Sequence, residues 1–147
     1  MTTNLTGLTI DGTGTITTGS GQAVLQKYSE TVGYAAFTDG GGAAGTFDLS
    51  LTIPIGATVL RTVLTSVTGF AGDTSAVIIV GDGTDTDRYM TGTPSVFATA
   101  ANGLDLGVLS GVGYHDAAKT PKITITSGSD WGSVTAGALT IEIYYYT

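Results

Sequence analysis

His115 and Asp116 are neighbours, and a histidine beside an acid is the pairing from which a nucleophilic triad could be assembled. A triad needs its acid turned onto the ring nitrogen opposite the nucleophile, whereas adjacent residues in a strand or turn point apart. No G-x-S-x-G elbow supplies a serine. Zinc is no better served, because the chain has no cysteine and 1 histidine, so three acids would have to join it. His115 is expected on a solvent-facing loop. Glu30 and Glu142 fall in strand-like segments without an assignable acid partner, which leaves the carboxylate pair of a glycosidase unsupported.

Asp82, Asp85 and Asp87 place three carboxylates in Gly81–Asp87, an oxygen-rich stretch that would suit calcium. Counted from Asp82, the sixth and twelfth positions are Asp87 and Thr93, where an EF-hand loop requires Gly and Glu. A turn at a strand end is the expected reading. Gly40–Gly45 matches G-x-G-x-x-G by letter, but a dinucleotide site needs a helix next, and Thr46–Ile53 alternates as a strand does. Asn4-Leu5-Thr6 is a glycosylation sequon without a visible secretion signal to give it meaning. Trp131, in a Ser/Gly/Asp turn, is expected to cap the open end of a core. No catalytic site, cofactor site or metal site is expected, and the chain does not read as an enzyme.

The elements that would position these residues are strands. Glycine is 23 of 147 residues, about twice the usual share, and threonine is abundant. Thr suits a pleated surface and Gly supplies tight turns, so the composition calls for many short strands. With 41% hydrophobic and 12% charged residues the chain can build a core and is not disordered. The net charge of −7 comes from 12 acids against 5 bases, and Lys27, Arg61, Arg88, Lys119 and Lys122 form no sequence cluster. Nucleic acid and anionic membranes are therefore unsuited as partners. No signal peptide is visible, and the longest apolar run, Ala76–Val80, is far too short to span a bilayer.

Two parts are expected: an extended N-terminal arm over residues 1–24 and a β-sandwich over 25–147. The arm is Thr/Gly-rich with Leu5, Leu8, Ile10 and Ile16 as sparse apolar pegs, suited to lodging in a neighbour. Asp11-Gly12 could instead turn a small hairpin. In the body, strand patterns occur at Tyr28–Phe37, Phe47–Ile53, Val59–Val67, Ala76–Val80, Leu104–Leu109, Ile123–Ile125 and Leu139–Tyr145. Phe47, Leu49, Leu51 and Ile53 alternate cleanly with polar residues, and Val59–Val67 is apolar on both faces. Ala76–Val80 reads as a central strand. Thr93-Pro94, Ser95–Ala101 and Asn102-Gly103 carry the signals of one short helix. In the last ten residues Leu139, Ile141, Ile143 and Tyr145 alternate with Thr140, Glu142, Tyr144 and Tyr146. The exposed aromatics of this edge-type strand are expected to meet another protein. The whole is an all-β, jelly-roll-like β-sandwich with one short helix and an extended arm.

Several phrases within Lys27–Thr147 resemble the small tailed-bacteriophage capsid decoration, or cement, proteins. They are KYSETVGYAAFTDGGGAAGTFDL, TIPIGATVL, TGFAGDTSAVIIVGDGTDTDRYMTGTPSVF and LTIEIYYYT. The resemblance implies a β-rich homotrimer made in the host cytoplasm and placed on the outer capsid surface of the virion. There it would bind the major capsid protein and stabilise the head, with no small-molecule substrate, nucleic acid or membrane as partner. No binding residue carries over by motif; on the resemblance, Leu5, Leu8, Ile10 and Ile16 are expected to anchor the arm at the capsid contact, and Val59, Arg61, Val63, Tyr144 and Tyr146 to serve the subunit interface. The alternative is a carbohydrate-binding head-fibre or adhesin module, with Trp131, Tyr89 and Tyr114 stacking on sugars.

Overall fold

Leu139, Ile141 and Ile143 are buried on one side of the last strand while Tyr144 and Tyr146 stand on the other, so the period-2 pattern does set its faces. This strand, Ala136–Tyr146, lies between two others and bonds to both. It is an interior strand, not the edge expected from sequence. Its apolar inner row matches Val67, Leu64 and Val59 of one neighbour, while the other sets only Val32 in the core and pairs Glu30 with Ile141 and Tyr28 with Ile143.

The computed structural model describes residues 23–98 and 104–147, and the backbone of 8–10 and 16–18. The strands are β1 (Leu8–Ile10), β2 (Ile16–Thr18), β3 (Leu25–Gly33), β4 (Thr38–Asp39), β5 (Ala44–Asp48), β6 (Thr58–Ala71), β7 (Ala76–Gly81), β8 (Leu104–Asp105), β9 (Lys122–Ser127) and β10 (Ala136–Tyr146). β1 and β2 pair with each other as an antiparallel hairpin. The remaining eight form two four-stranded sheets, β3-β10-β6-β8 and β4-β5-β9-β7, with every pair antiparallel. Apart from the β4–β5 hairpin, each successive connection crosses from one sheet to the other, and β3 and β10, the first and last of the eight, lie side by side. That is a jelly-roll-like sandwich.

The core fills the space between the sheets. Val32, Leu139, Ile141, Ile143, Leu64 and Val67 face Ile78, Val80, Ile123 and Ile125 across it. At the end where β6 finishes, Trp131 closes the core against Phe37 and Phe70, with ring centroids 5.2 and 6.2 Å away. It caps the core as expected. Gly45 lies flat beneath the indole, where a Cβ would come within 2.2 Å of Trp131 Cε2.

Three further expectations change. Ser95–Ala98 is not helical: Ser95 bridges Val77 and Phe97 bridges Phe70, so the segment runs extended beside both sheets, and 99–103 lie outside the described residues. β7 is the last strand of its sheet, not a central one. Its outer side is covered by backbone bonds from Ile78 to Pro94, Val96 to Ala76 and Tyr89 to Val80, which is why an all-apolar strand is tolerated there. β5 stops at Asp48, yet Leu49, Leu51 and Ile53 continue to alternate inward. The ladder lapses where Pro121 offers no N–H, and resumes at the Ile53–Lys119 bridge.

Candidate interaction surface

Cross-strand register decides what the outer face of the β3-β10-β6-β8 sheet presents. Tyr144 on β10 stands opposite Lys27 on one side and Arg61 on the other. Lys27 Nζ and the Arg61 guanidinium carbon lie 6.0 and 5.9 Å from the Tyr144 ring centroid, one cation on each flank of the aromatic. In the next row Glu142 lies between Ser29 and Val63. Its carboxylate accepts from Lys27 Nζ at 2.6 Å and from the Tyr144 hydroxyl at 2.6 Å. These bonds hold the Glu142 carboxyl below its ordinary range and raise both Lys27 and the Tyr144 phenol. The result is an aromatic ring fixed in place by charge, over a buried Glu142 and between Lys27 and Arg61, which stay open to solvent.

The row beyond is apolar. Leu25, Tyr146 and Thr58 pair in line across β3, β10 and β6, and Tyr114 bridges Thr58 from the next segment. Residues directly opposite share a face, so Leu25, Tyr146 and Tyr114 project together, and all three are exposed. A β-bulge adds Leu60: Tyr144 pairs with Arg61 and Tyr145 with Val59, leaving Leu60 without a ladder partner and turned to solvent.

Of the residues expected at a subunit interface, Arg61, Tyr144 and Tyr146 come together on this face. Val59 is packed in its own core, so its side chain has nothing to offer a neighbour, and Val63 is buried between Glu142 and Asp105 on the outer face. Leu5 lies outside the described residues, and Leu8, Ile10 and Ile16 are described only through their backbone pairing.

Behind the apolar row sits a buried polar cluster. His115, expected on an exposed loop, is instead interior: its N–H and carbonyl bond Ala57 and Gly56, which draws the ring inward. Nε2 lies 3.0 Å from the hydroxyl of fully buried Tyr89, and Nδ1 has no partner among the described residues. Burial, then the nearby Arg88, lowers the His115 pKa. Asp116 stays exposed beside it. Asp82 points inward, accepting from the N–H groups of Thr84 at 2.9 Å and Asp85 at 2.8 Å. Arg88 and Lys119 complete it at 3.3 and 3.5 Å. Burial opposes its ionised form, but the Asp85 and Thr84 amides and the two cations outweigh that and keep the carboxyl low. Its charge is thus compensated from within the chain by two amides and two cations, and no group of three His, Cys, Asp or Glu that could hold a metal ion occurs among the described residues.

Glu30 and Glu142 lie in adjacent rows but on opposite faces of one sheet, since Glu30 pairs with Ile141. They share no cleft. Glu30 accepts from the Tyr28 hydroxyl and from Ser50 N and Oγ, both at 3.0 Å, which ties β3 to the segment after β5. Of the three aromatics suited to sugar stacking, Trp131 and Tyr89 are buried and only Tyr114 is exposed.

The fold defines an antiparallel β-sandwich with jelly-roll-like connections. It is similar to a solved chain described as "Cyanophage Pam1 capsid asymmetric unit", with a TM-score of 0.51 and 16% identity over 92% of this chain and 96% of that one. No family model and no curated protein sequence matches the chain.

Proposed function

We propose that this chain is a structural protein of a phage virion, not an enzyme, which decorates and stabilises the capsid by binding the major capsid protein as a homotrimer. The observation that carries the reading is the fold likeness to a phage capsid chain over nearly the full length of both. The chain's own residues agree with it. His115 and Asp82 are engaged by internal partners, while the exposed features include an aromatic–cationic sheet face and an apolar row. Such a surface suits protein neighbours. Leu5, Leu8, Ile10 and Ile16 would anchor the N-terminal segment on the capsid's outer surface, and Arg61, Tyr144 and Tyr146 would serve subunit packing. Repeated attachment gives lasting hold from small contacts, because each contact after the first is intramolecular.

The test is to mix the purified protein with mature heads lacking it and image them. Added density on the outer shell, and heads that survive heating better, are expected. Deleting residues 1–20 should weaken head binding while leaving the sandwich folded. Bare shells at saturating protein would sink the reading, and full binding by the truncation would sink the role of the four apolar anchors. The carbohydrate reading loses support, with two of its three aromatics inside the core.

A further inference from the structure

All the exposed large hydrophobics among the described residues except Val108 gather at the end of the sandwich where β6 begins and β10 finishes. Leu25, Tyr146 and Tyr114 form the cross-strand row, at 54, 38 and 52% exposure. Leu60 sits in the adjoining bulge, and Val24, Ile55 and Val112 flank the row. The opposite end differs. Its loops at 39–43, 72–75 and 127–133 present Asp, Gly, Ser and Thr, with Trp131 turned inward. One end is finished for water and the other is not.

Charge on the same sheet face is also ordered. The β3 side carries Lys27, with Arg61 further in. The β8 side carries exposed Asp105, opposite Val63, and Asp116 follows His115 on the adjoining segment. Laying the β3 side of one copy against the β8 side of the next sets cations against acids. A twofold contact of that kind stops at a dimer, whereas a head-to-tail one whose rotation closes forms a ring, as the homotrimer of the functional reading requires.

We propose that this apolar end joins copies of this chain, the β3 side of one protomer lying against the β8 side of the next. Leu25, Tyr146, Leu60 and Tyr114 supply the buried centre, and Lys27 and Arg61 meet Asp105 and Asp116 at the rim. The proposal rests on the self-association in the functional reading above and names its surface and polarity.

Light scattering across a dilution series tests it, with circular dichroism and melting to confirm folding. The wild type should be multimeric, and Leu25→Ser with Tyr146→Ser should run as a folded monomer. Asp105→Lys should weaken association by about tenfold or more. Adding Arg61→Glu to Asp105→Lys should restore it, an effect that a misfolded variant cannot mimic. A monomeric wild type, or wild-type mass in both the double serine variant and Asp105→Lys, would overturn the proposal. Head binding is scored separately on the same samples. Multimeric wild type that leaves heads bare defeats the capsid reading alone, and monomeric wild type that coats heads defeats this proposal and the homotrimer while capsid binding stands.

Discussion

Tyr89 Oη and His115 Nε2 meet at 3.0 Å in the interior, and the other ring nitrogen of His115 has no hydrogen-bond partner among the described residues. The ring is therefore held neutral. Protonation would place a positive charge beside Arg88 and Lys119 and leave Nδ1–H with no acceptor among the described residues, with Asp82, Asp116 and Tyr89 as the other titratable groups around it.

Stability should consequently fall as pH drops below about 6.5, the ordinary histidine value. The folded pKa is lowered by burial first and Arg88 second, so the unfolded chain takes up the proton sooner and mass action favours it. The loss should level off below the folded pKa. Melting temperatures of the wild type and His115→Gln between pH 7.5 and 5 check this. The variant should show the flatter curve, and parallel curves would refute the assignment.

A second acid loss should begin below about pH 4, where unfolded carboxyls protonate. Asp73 accepts from the backbone N–H groups of Ser129, Thr74 and Asp130, and the first two hold its carboxyl furthest below the usual range. A depressed carboxylate contributes stability that is present above its unfolded pKa and fades beneath it. Asp73→Asn should shrink this lower step and leave the histidine step intact, as pH-dependent melting would show.

Asp82→Ala should cost roughly 2–3 kcal/mol, because it leaves Arg88 and Lys119 without their shared anion. The figure sits below the range for fully buried pairs because both cations keep some contact with water. Urea denaturation measures it, and a loss under 0.5 kcal/mol would mean that the cations find other partners.

Gly45→Ala should destabilise by about 1–3 kcal/mol, since the added methyl would press on the Trp131 ring from 2.2 Å. Indole fluorescence should shift as the ring is displaced. Unchanged emission with unchanged stability would contradict the close approach.

Opposite faces of β10 should respond differently to truncation. Ile141→Ala, in the core, should cost about 2–5 kcal/mol. Tyr146→Ser, on the exposed side, should cost well under 1 kcal/mol when wild type and variant are both dilute enough to be monomeric. Equal losses would mean that the strand's faces are misassigned.

The faces of strands were legible from the sequence, and their places in the sheets were not. Alternation at Leu139, Ile141 and Ile143 reports which side is buried, but whether a strand is interior or terminal depends on partners far along the chain. β7 was misplaced because its apolar run looks alike whether another strand or the Pro94–Phe97 segment covers its side. The helix expected at Ser95–Ala101 had sound local signals, yet over Ser95–Ala98 tertiary bridges to Val77 and Phe70 outweigh local preference. His115 reads as exposed for a similar reason: a lone histidine in a loop stretch gives no sign that Tyr89 waits for it 26 residues upstream. On the outer face, Arg61, Tyr144 and Tyr146 were found from residue type and alternation. Leu25 and Leu60 carry no such signal, and Tyr114 reads only as a sugar-stacking aromatic, because register and a bulge bring the three alongside.

The strip of chain from Pro94 to Phe97 works as a guard rail. Ala76–Val80, an uncharged apolar run rich in β-branched residues and so suited to cross-β pairing, has one flank in its sheet and the other fenced by this strip. Proteolytic nicking there would bare a sticky ribbon able to recruit further molecules. The same few residues that look like a connector thus keep a densely made protein from polymerising through the wrong side.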